Sequence, residues 1–278
     1  MSDLTTSPNG RQPLLEANEL VMMFGGLRAV SNFNLSLYPH DLQGLIGPNG
    51  AGKTTVFNIV TGVYPPTSGR INFNEIDITG LQPHEINQLG IARTFQNIRL
   101  FPNLTVLDNV RIAYHTHAGY GMLDGILHNR HFGNKEKELT QRAQEFLSVF
   151  HLEDRQGEIA KNLPYGEQRR LEIARALAAE PTLLLLDEPA AGMNPAESFQ
   201  LMDLIHFIRE RFDLTILLIE HQMRVVMGIC ETITVMDFGE VIARGTPRDI
   251  QSDPKVIEAY LGPGTAALSE KFRRKKEQ

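Results

Sequence analysis

Apolar and polar positions along this chain change rhythm several times. From Leu14 to Asn74 short β-like runs alternate with turn signals, and one of them, Leu42 to Ile46, leads through a glycine-rich loop into a predicted helix over Gly52 to Thr61. The middle of the chain is helical in its spacing. Lys135 to Phe150 and Gly166 to Glu180 each place apolar residues on one helical face, and the second ends before Pro181, which cannot continue a helix. A βαβ rhythm then returns: Leu183 to Leu186 and Thr215 to Ile219 are continuous apolar runs, as parallel strands buried on both faces require, with a predicted helix from Pro195 to Phe212 between them. The pattern predicts an α/β core interrupted by a helical insert between about Asn97 and Leu163, preceded by a loose leader, Met1 to Pro13. No heptad repeat is sustained over several turns.

Composition narrows the class. A chain of 278 residues, 42% hydrophobic and 22% charged, can form one large or two small globular domains. A net charge of −6 and a pI near 5.9 argue against broad nucleic-acid binding, because no domain-wide basic excess is present to displace counterions from phosphates. The basic run KFRRKK, Lys271 to Lys276, reads as part of a flexible, solvated tail from residue 263 onward, with a membrane-surface role as the alternative. The single cysteine, Cys230, excludes an intrachain disulfide and is expected to be a small buried apolar group. The first residues lack the basic and apolar regions of a secretory signal, and no apolar run approaches the length that spans a bilayer, so membrane association is expected to come through a partner.

The chemistry begins at GPNGAGKT, Gly47 to Thr54, a complete phosphate-binding loop between a strand and a helix. Gly47, Gly50 and Gly52 leave backbone N–H groups free to converge on phosphate oxygens, and the helix adds the positive end of its dipole. Lys53 is expected to reach the β and γ phosphates and Thr54 to ligate Mg²⁺; the nucleotide-binding set is Gly47, Pro48, Asn49, Gly50, Ala51, Gly52, Lys53, Thr54 and Thr55. LLLLDEP, Leu183 to Pro189, supplies Asp187 at a strand end to orient Mg²⁺ and Glu188 as the general base for the attacking water. Gln96, in RTFQN, has the neutral donor and acceptor capacity to contact Mg²⁺ or position water. His221, in IEHQ, follows a predicted strand where an imidazole donates to the γ-phosphate. His115, His117, His128 and His131 lie in a glycine-rich stretch with neither cysteine nor carboxylate at ligand spacing, and read as surface loop.

Together with LPYGEQ, Leu163 to Gln168, these motifs resemble the ATP-binding cassette family in content and in order, over about residues 14–262. The resemblance implies a P-loop ATPase with a RecA-like core, an antiparallel β subdomain and a helical subdomain. It also implies a head-to-tail dimer with ATP held between one subunit's P-loop and the other's signature, here Tyr165, Gly166, Glu167 and Gln168. Phe24 matches the aromatic position that stacks on adenine. GGLRAVSNF, GIARTFQNIRLFPNLTVLDNV, DEPAAGMNP, LLIEHQMRVVMGIC and DPKVIEAYLG narrow the resemblance to the larger ATPase subunit of branched-chain amino acid importers. That implies ATP and Mg²⁺ as cofactors, with two permease subunits, a second, paralogous ATPase and, indirectly, a solute-binding protein as partners. The location implied is the cytoplasmic face of the inner membrane. A urea or short-chain amide importer and a lipopolysaccharide exporter are the alternatives within the class, and a cassette acting on nucleic acid is the alternative outside it.

Four residues depart from the wider family pattern. Pro164 and Tyr165 stand where most cassettes have Ser and Gly, which predicts a weakened composite site that the helix N-terminus near Gly166 still supports. Asn194 replaces the usual Asp of the D-loop, removing a charge from the implied dimer seam, and Gln222 replaces the acidic residue that often follows the switch histidine.

Overall fold

The computed structural model describes residues 11–114 and 130–262, with side chains described from residue 137 onward in the second span. The chain divides into two compact units, one of Met1–Ile86 with Leu185–Gln278 and the other of Asn87–Leu184.

In the larger unit β1 (Leu15–Phe24), β2 (Leu27–Leu37), β4 (Ser68–Phe73) and β5 (Ile76–Asp77) form an antiparallel sheet in the order β2-β1-β4-β5. Strand β1 buries Leu15 and Ala17, then Leu20 and Met22. The change of parity is a bulge: the pairing with β2 shifts between Ala17 and Leu20, and Glu19 takes a positive φ of 51°. One extra residue lets a single strand keep its apolar side chains on one face despite an irregular sequence pattern.

The second sheet of this unit is built on β3 (Leu42–Ile46), parallel to β8 (Thr215–Ile219) on one side and to β9 (Thr232–Asp237) on the other, with β10 (Glu240–Gly245) antiparallel at its edge and β7 (Leu183–Asp187) beyond β8. Every residue of β3, β7 and β8 is buried, which is why their sequences run apolar without alternation. Helices α1 (Lys53–Val60), α6 (Pro195–Phe212) and α7 (Met223–Ile229) connect the strands, and the chain closes with α8 (Pro247–Ser252) and α9 (Pro254–Leu261). Helix α6 starts in a capping box: the Asn194 side chain accepts from the Glu197 N–H at 3.0 Å, and Glu197 accepts from the Asn194 N–H at 2.8 Å.

The second unit takes in the end of α2 (Pro83–Gln88) and β6 (Ile91–Arg93), which flanks the first residues of β7 where Thr182 and Leu183 donate to the Gly90 carbonyl. Among its described residues are the helices α3 (Val106–Tyr114), α4 (Arg130–Val149) and α5 (Tyr165–Leu177). Leu139, Ala143, Leu147 and Phe150 supply the buried stripe along α4 and just past its end. The helix begins five residues before the predicted Lys135, because its first turns carry no apolar spacing to read. Helix α5 starts at Tyr165 and ends at Leu177, three residues short of the expected Glu180; the chain leaves the helix there, and Glu180 adopts a φ of 48° just ahead of Pro181.

Candidate functional site

The phosphate-loop residues form a tight connection from β3 to α1. Gly52 caps α1 with φ 102° and no side-chain hydrogen bond, so the first N–H groups of the helix are left for another acceptor. The loop is braced from behind: the Gly239 N–H donates to the Ala51 carbonyl at 3.0 Å, and a Cβ on Gly52 would stand 2.5 Å from the Ala29 carbonyl oxygen of β2. Asn49, Gly50 and Thr54 are exposed along the loop. The buried Lys53 crosses it, its Nζ donating to Gly47 O at 2.7 Å and Pro48 O at 2.8 Å. Burial pushes the Lys53 ammonium below the ordinary lysine range, and the nearby carboxylates of Glu188 and Asp187 oppose that shift.

Those carboxylates stand at the end of β7. Asp187 is 4% exposed, the last residue of a strand whose Leu183 to Leu186 are wholly buried. Glu188 turns the chain with φ 47° and donates its N–H to Ile219 O of β8 at 2.9 Å. Its carboxylate Oε2 lies 3.3 Å from His221 Nδ1, so the two residues proposed from sequence as base and switch are in direct contact. His221 is half exposed while Glu188 is largely enclosed, as suits a reaching imidazole and a carboxylate shielded from bulk water.

Glu220 is a site feature that sequence reasoning missed. Its fully buried carboxylate accepts from the Ala190 N–H at 2.8 Å, and from the His221 and Gln222 N–H groups at 3.0 and 3.1 Å. Burial pushes this carboxyl above the ordinary range, against the opposing pull of those three N–H groups and of His221. The Gln222 amide donates to the Ala190 carbonyl at 2.7 Å, so both backbone groups of Ala190 are fixed to the His221 turn. A charged residue immediately after the wholly apolar Leu217 to Ile219 was the available signal. Asn194, read from sequence as a lost seam charge, is the N-cap of α6. Phe24 ends β1 43% exposed, with its ring edge-on to Tyr64 at 5.5 Å.

The larger unit thus brings together Gly47 to Thr55, Asp187, Glu188 and His221. Gln96 and Tyr165 to Gln168 belong to the second unit. There the signature opens α5, with Pro164 as its N-cap and no side-chain cap. Tyr165 is 45% exposed, and its hydroxyl accepts from Arg169 Nη2 at 3.1 Å. Gln168 donates to the Leu163 carbonyl, and Glu167 pairs with Arg155 at 3.4 Å. His115, His117 and His128 lie outside the described residues, as does the side chain of His131; among the described residues no cluster of His, Cys, Asp and Glu could hold a metal. Cys230 is buried as expected, and a Cβ on Gly44 would stand 3.0 Å from its Sγ.

A model of the ABC transporter family matches residues 30–191, and a model of the branched-chain amino acid ATP-binding cassette transporter matches residues 240–262. The high-affinity branched-chain amino acid transport ATP-binding protein LivG of Escherichia coli is 48% identical over 251 residues, 90% of this chain and 98% of that protein. The chain belongs to the ABC transporter ATP-binding family. Among solved structures, the ADP conformation of the ABC transporter cassette MJ1267 has a TM-score of 0.79 at 31% identity, covering 90% of this chain and 99% of that one. The cassette MJ0796, dimeric and bound to ADP and Pi in a post-hydrolysis state, has a TM-score of 0.71 at 26% identity, covering 84% of this chain and 99% of that one. This cassette therefore has a nucleotide-binding α/β P-loop core. Among its described residues no helix is long and apolar enough to cross a membrane.

Proposed function

We propose that this cassette is the ATP-hydrolysing subunit of an importer of branched-chain amino acids, working at the cytoplasmic face of the inner membrane with two permease subunits, a paralogous ATPase and a solute-binding protein. The 14–262 region is its ATPase domain, and the molecular reading rests on one observation: the Glu188 carboxylate sits 3.3 Å from His221 within the unit that holds the phosphate loop. The amino-acid assignment is supported by the names of the relatives and by the match over residues 240–262.

In this reading the uncapped N–H groups at the start of α1 bind the phosphates of ATP, and Lys53 exchanges its two carbonyl partners for phosphate oxygens. Phe24 stacks on the adenine. The hydroxyl of Thr54, the carboxylate of Asp187 and the amide oxygen of Gln96 are hard oxygen donors that suit Mg²⁺, which neutralises charge developing on the phosphates when bound. Glu188 takes a proton from the attacking water. His221 holds that carboxylate and donates to the γ-phosphate, and the signature residues Tyr165 to Gln168 serve the nucleotide of a partner ATPase. ATP favours the closed dimer because only that state supplies both sets of contacts, and loss of phosphate removes the preference.

The test is affinity purification of the chain from native membranes, with radiolabelled leucine uptake in cells lacking it. Recovery of two permeases and a second ATPase, with uptake abolished, is expected. A different permease pair with leucine uptake intact redirects the substrate to urea, amides or lipopolysaccharide, and recovery without membrane partners refutes the transport role. Lys53→Ala in the same cells is expected to abolish uptake while leaving the complex assembled.

A further inference from the structure

Inside the second unit lies a charged pair that the proposed chemistry does not use. Arg169 and Glu172, one turn apart on α5, are 0% and 1% exposed and joined at 2.7 Å. Charged side chains this deeply buried persist where most of their remaining polar atoms are also satisfied, and of this pair's polar atoms Arg169 Nε alone has no hydrogen-bond partner. Arg169 spends the other three N–H bonds of its terminal nitrogens on Phe95 O at 2.7 Å, Gln96 O at 2.8 Å and the Tyr165 hydroxyl at 3.1 Å. Glu172 Oε1 accepts from the Arg99 N–H at 3.0 Å and from the Phe95 N–H at 3.4 Å. The pair therefore grips the backbone from Phe95 to Arg99 through two carbonyls and two amides. The Phe95 ring packs under the guanidinium of Arg99 at 4.1 Å and that of Arg93 at 4.9 Å, so the same short loop is also pinned from its side-chain face.

We infer that Arg169 and Glu172 are positioning residues that fix the loop carrying Gln96 to the first turns of the signature helix, so that the two move as one body and Gln96 is presented in a single position. This rests on the reading of Gln96 as a residue of the ATP reaction. An ion pair alone would need only the contact between the two charges. The planar fork of arginine is needed to reach two successive carbonyls and the carboxylate at once, which a lysine ammonium does not match.

Arg169→Lys separates these roles, because it preserves the charge that faces Glu172 and discards the fork. In the full chain with its membrane partners, the variant is expected to lower kcat by about tenfold or more while KM for ATP stays within about twofold. Amide exchange at Phe95 and Arg99 should accelerate by about tenfold, with the amides of Leu171 to Leu177 in α5 unchanged. Glu172→Gln, which keeps one carbonyl acceptor for the loop amides, should retain more of both quantities than Glu172→Ala. Unchanged exchange at Phe95 and Arg99 in Arg169→Lys overturns the clamp, and so does faster exchange with kcat intact. If Arg169→Lys does not fold, the same two measurements on Glu172→Gln decide the matter. Gln96→Ala serves as the reference: full activity there would remove Gln96 from the reaction, a failure distinguishable from failure of the clamp, which loop exchange reports by itself.

Discussion

Two glycines of the phosphate loop allow the same substitution to be compared in two environments. Gly50 and Gly52 both adopt left-handed backbone, with φ 83° and 102°. An alanine at either position incurs the Cβ penalty of that region, roughly 1–2 kcal/mol, and recovers part of it by restricting the unfolded chain, roughly 0.4–1 kcal/mol. These contributions are common to both and cancel in the comparison. The environments differ. A Cβ at Gly50 meets nothing within 4 Å, whereas at Gly52 it stands 2.5 Å from Ala29 O and 3.3 Å from Met236 Cε. Restoring an ordinary contact of 3.4 Å requires the β2 carbonyl or the start of α1 to retreat by 3.4 − 2.5 = 0.9 Å. Overpacking of that kind costs about 1–3 kcal/mol, so Gly52→Ala should be less stable than Gly50→Ala by that amount. Thermal and urea denaturation without nucleotide, followed by circular dichroism at the helix band, measures the difference. Each 1 kcal/mol corresponds to roughly 2–4 °C for a body of this size. Equal stabilities within about 0.5 kcal/mol, or a less stable Gly50→Ala, would refute the claim that close packing on Ala29 sets the position of the loop.

Three other outcomes are expected. Glu188→Gln should lower the rate of phosphate release by roughly 10²–10⁴ while nucleotide binding is kept, and normal turnover would remove Glu188 as the base. Asn194→Ala should cost about 1 kcal/mol through loss of the α6 cap, whereas Asn194→Asp, also a good cap, should be close to neutral; equal losses in thermal melts would show that the cap is not what Asn194 supplies. The carboxyl of Glu220 is raised by burial, so the folded state binds its proton more tightly than the unfolded state. Its contribution to stability is therefore full below the ordinary glutamate range and is lost as pH rises through the raised value. Glu220→Gln cannot titrate, and the stability of the wild type relative to this variant should fall with rising pH over that interval; a flat difference in urea titrations contradicts the assignment.

What could be read from the chain was set by how far each side chain's chemistry depends on its sequence neighbours. Leu42 to Ile46, Leu183 to Leu186 and Thr215 to Ile219 are legible because a strand covered on both faces must be apolar throughout. The phosphate loop is legible because its glycines, lysine and threonine act within one turn. The early start of α4 was not, because helical pattern is recognised by apolar spacing, and the regular stripe from Leu139 through Ala143 and Leu147 comes well after Arg130. Arg169 and Glu172 were hidden for the opposite reason. An Arg and a Glu three residues apart on a helix read as a solvated surface pair, and only the distant loop from Phe95 to Arg99 reveals that they are interior. Glu220 and Gln222 share that character in part: the apolar run before Glu220 marks an unusual carboxylate, but their partner at Ala190 lies some 30 residues earlier, and local pattern does not name it.

The burial of Cys230 has a practical consequence for following this cassette in motion. Burial pushes its thiol up to about 12, so at neutral pH it stays the unreactive thiol and not the thiolate. The chain has no other cysteine and no tryptophan. The native sequence is therefore already a silent background for spectroscopy, in which one cysteine or tryptophan introduced at an exposed position reports from that position alone.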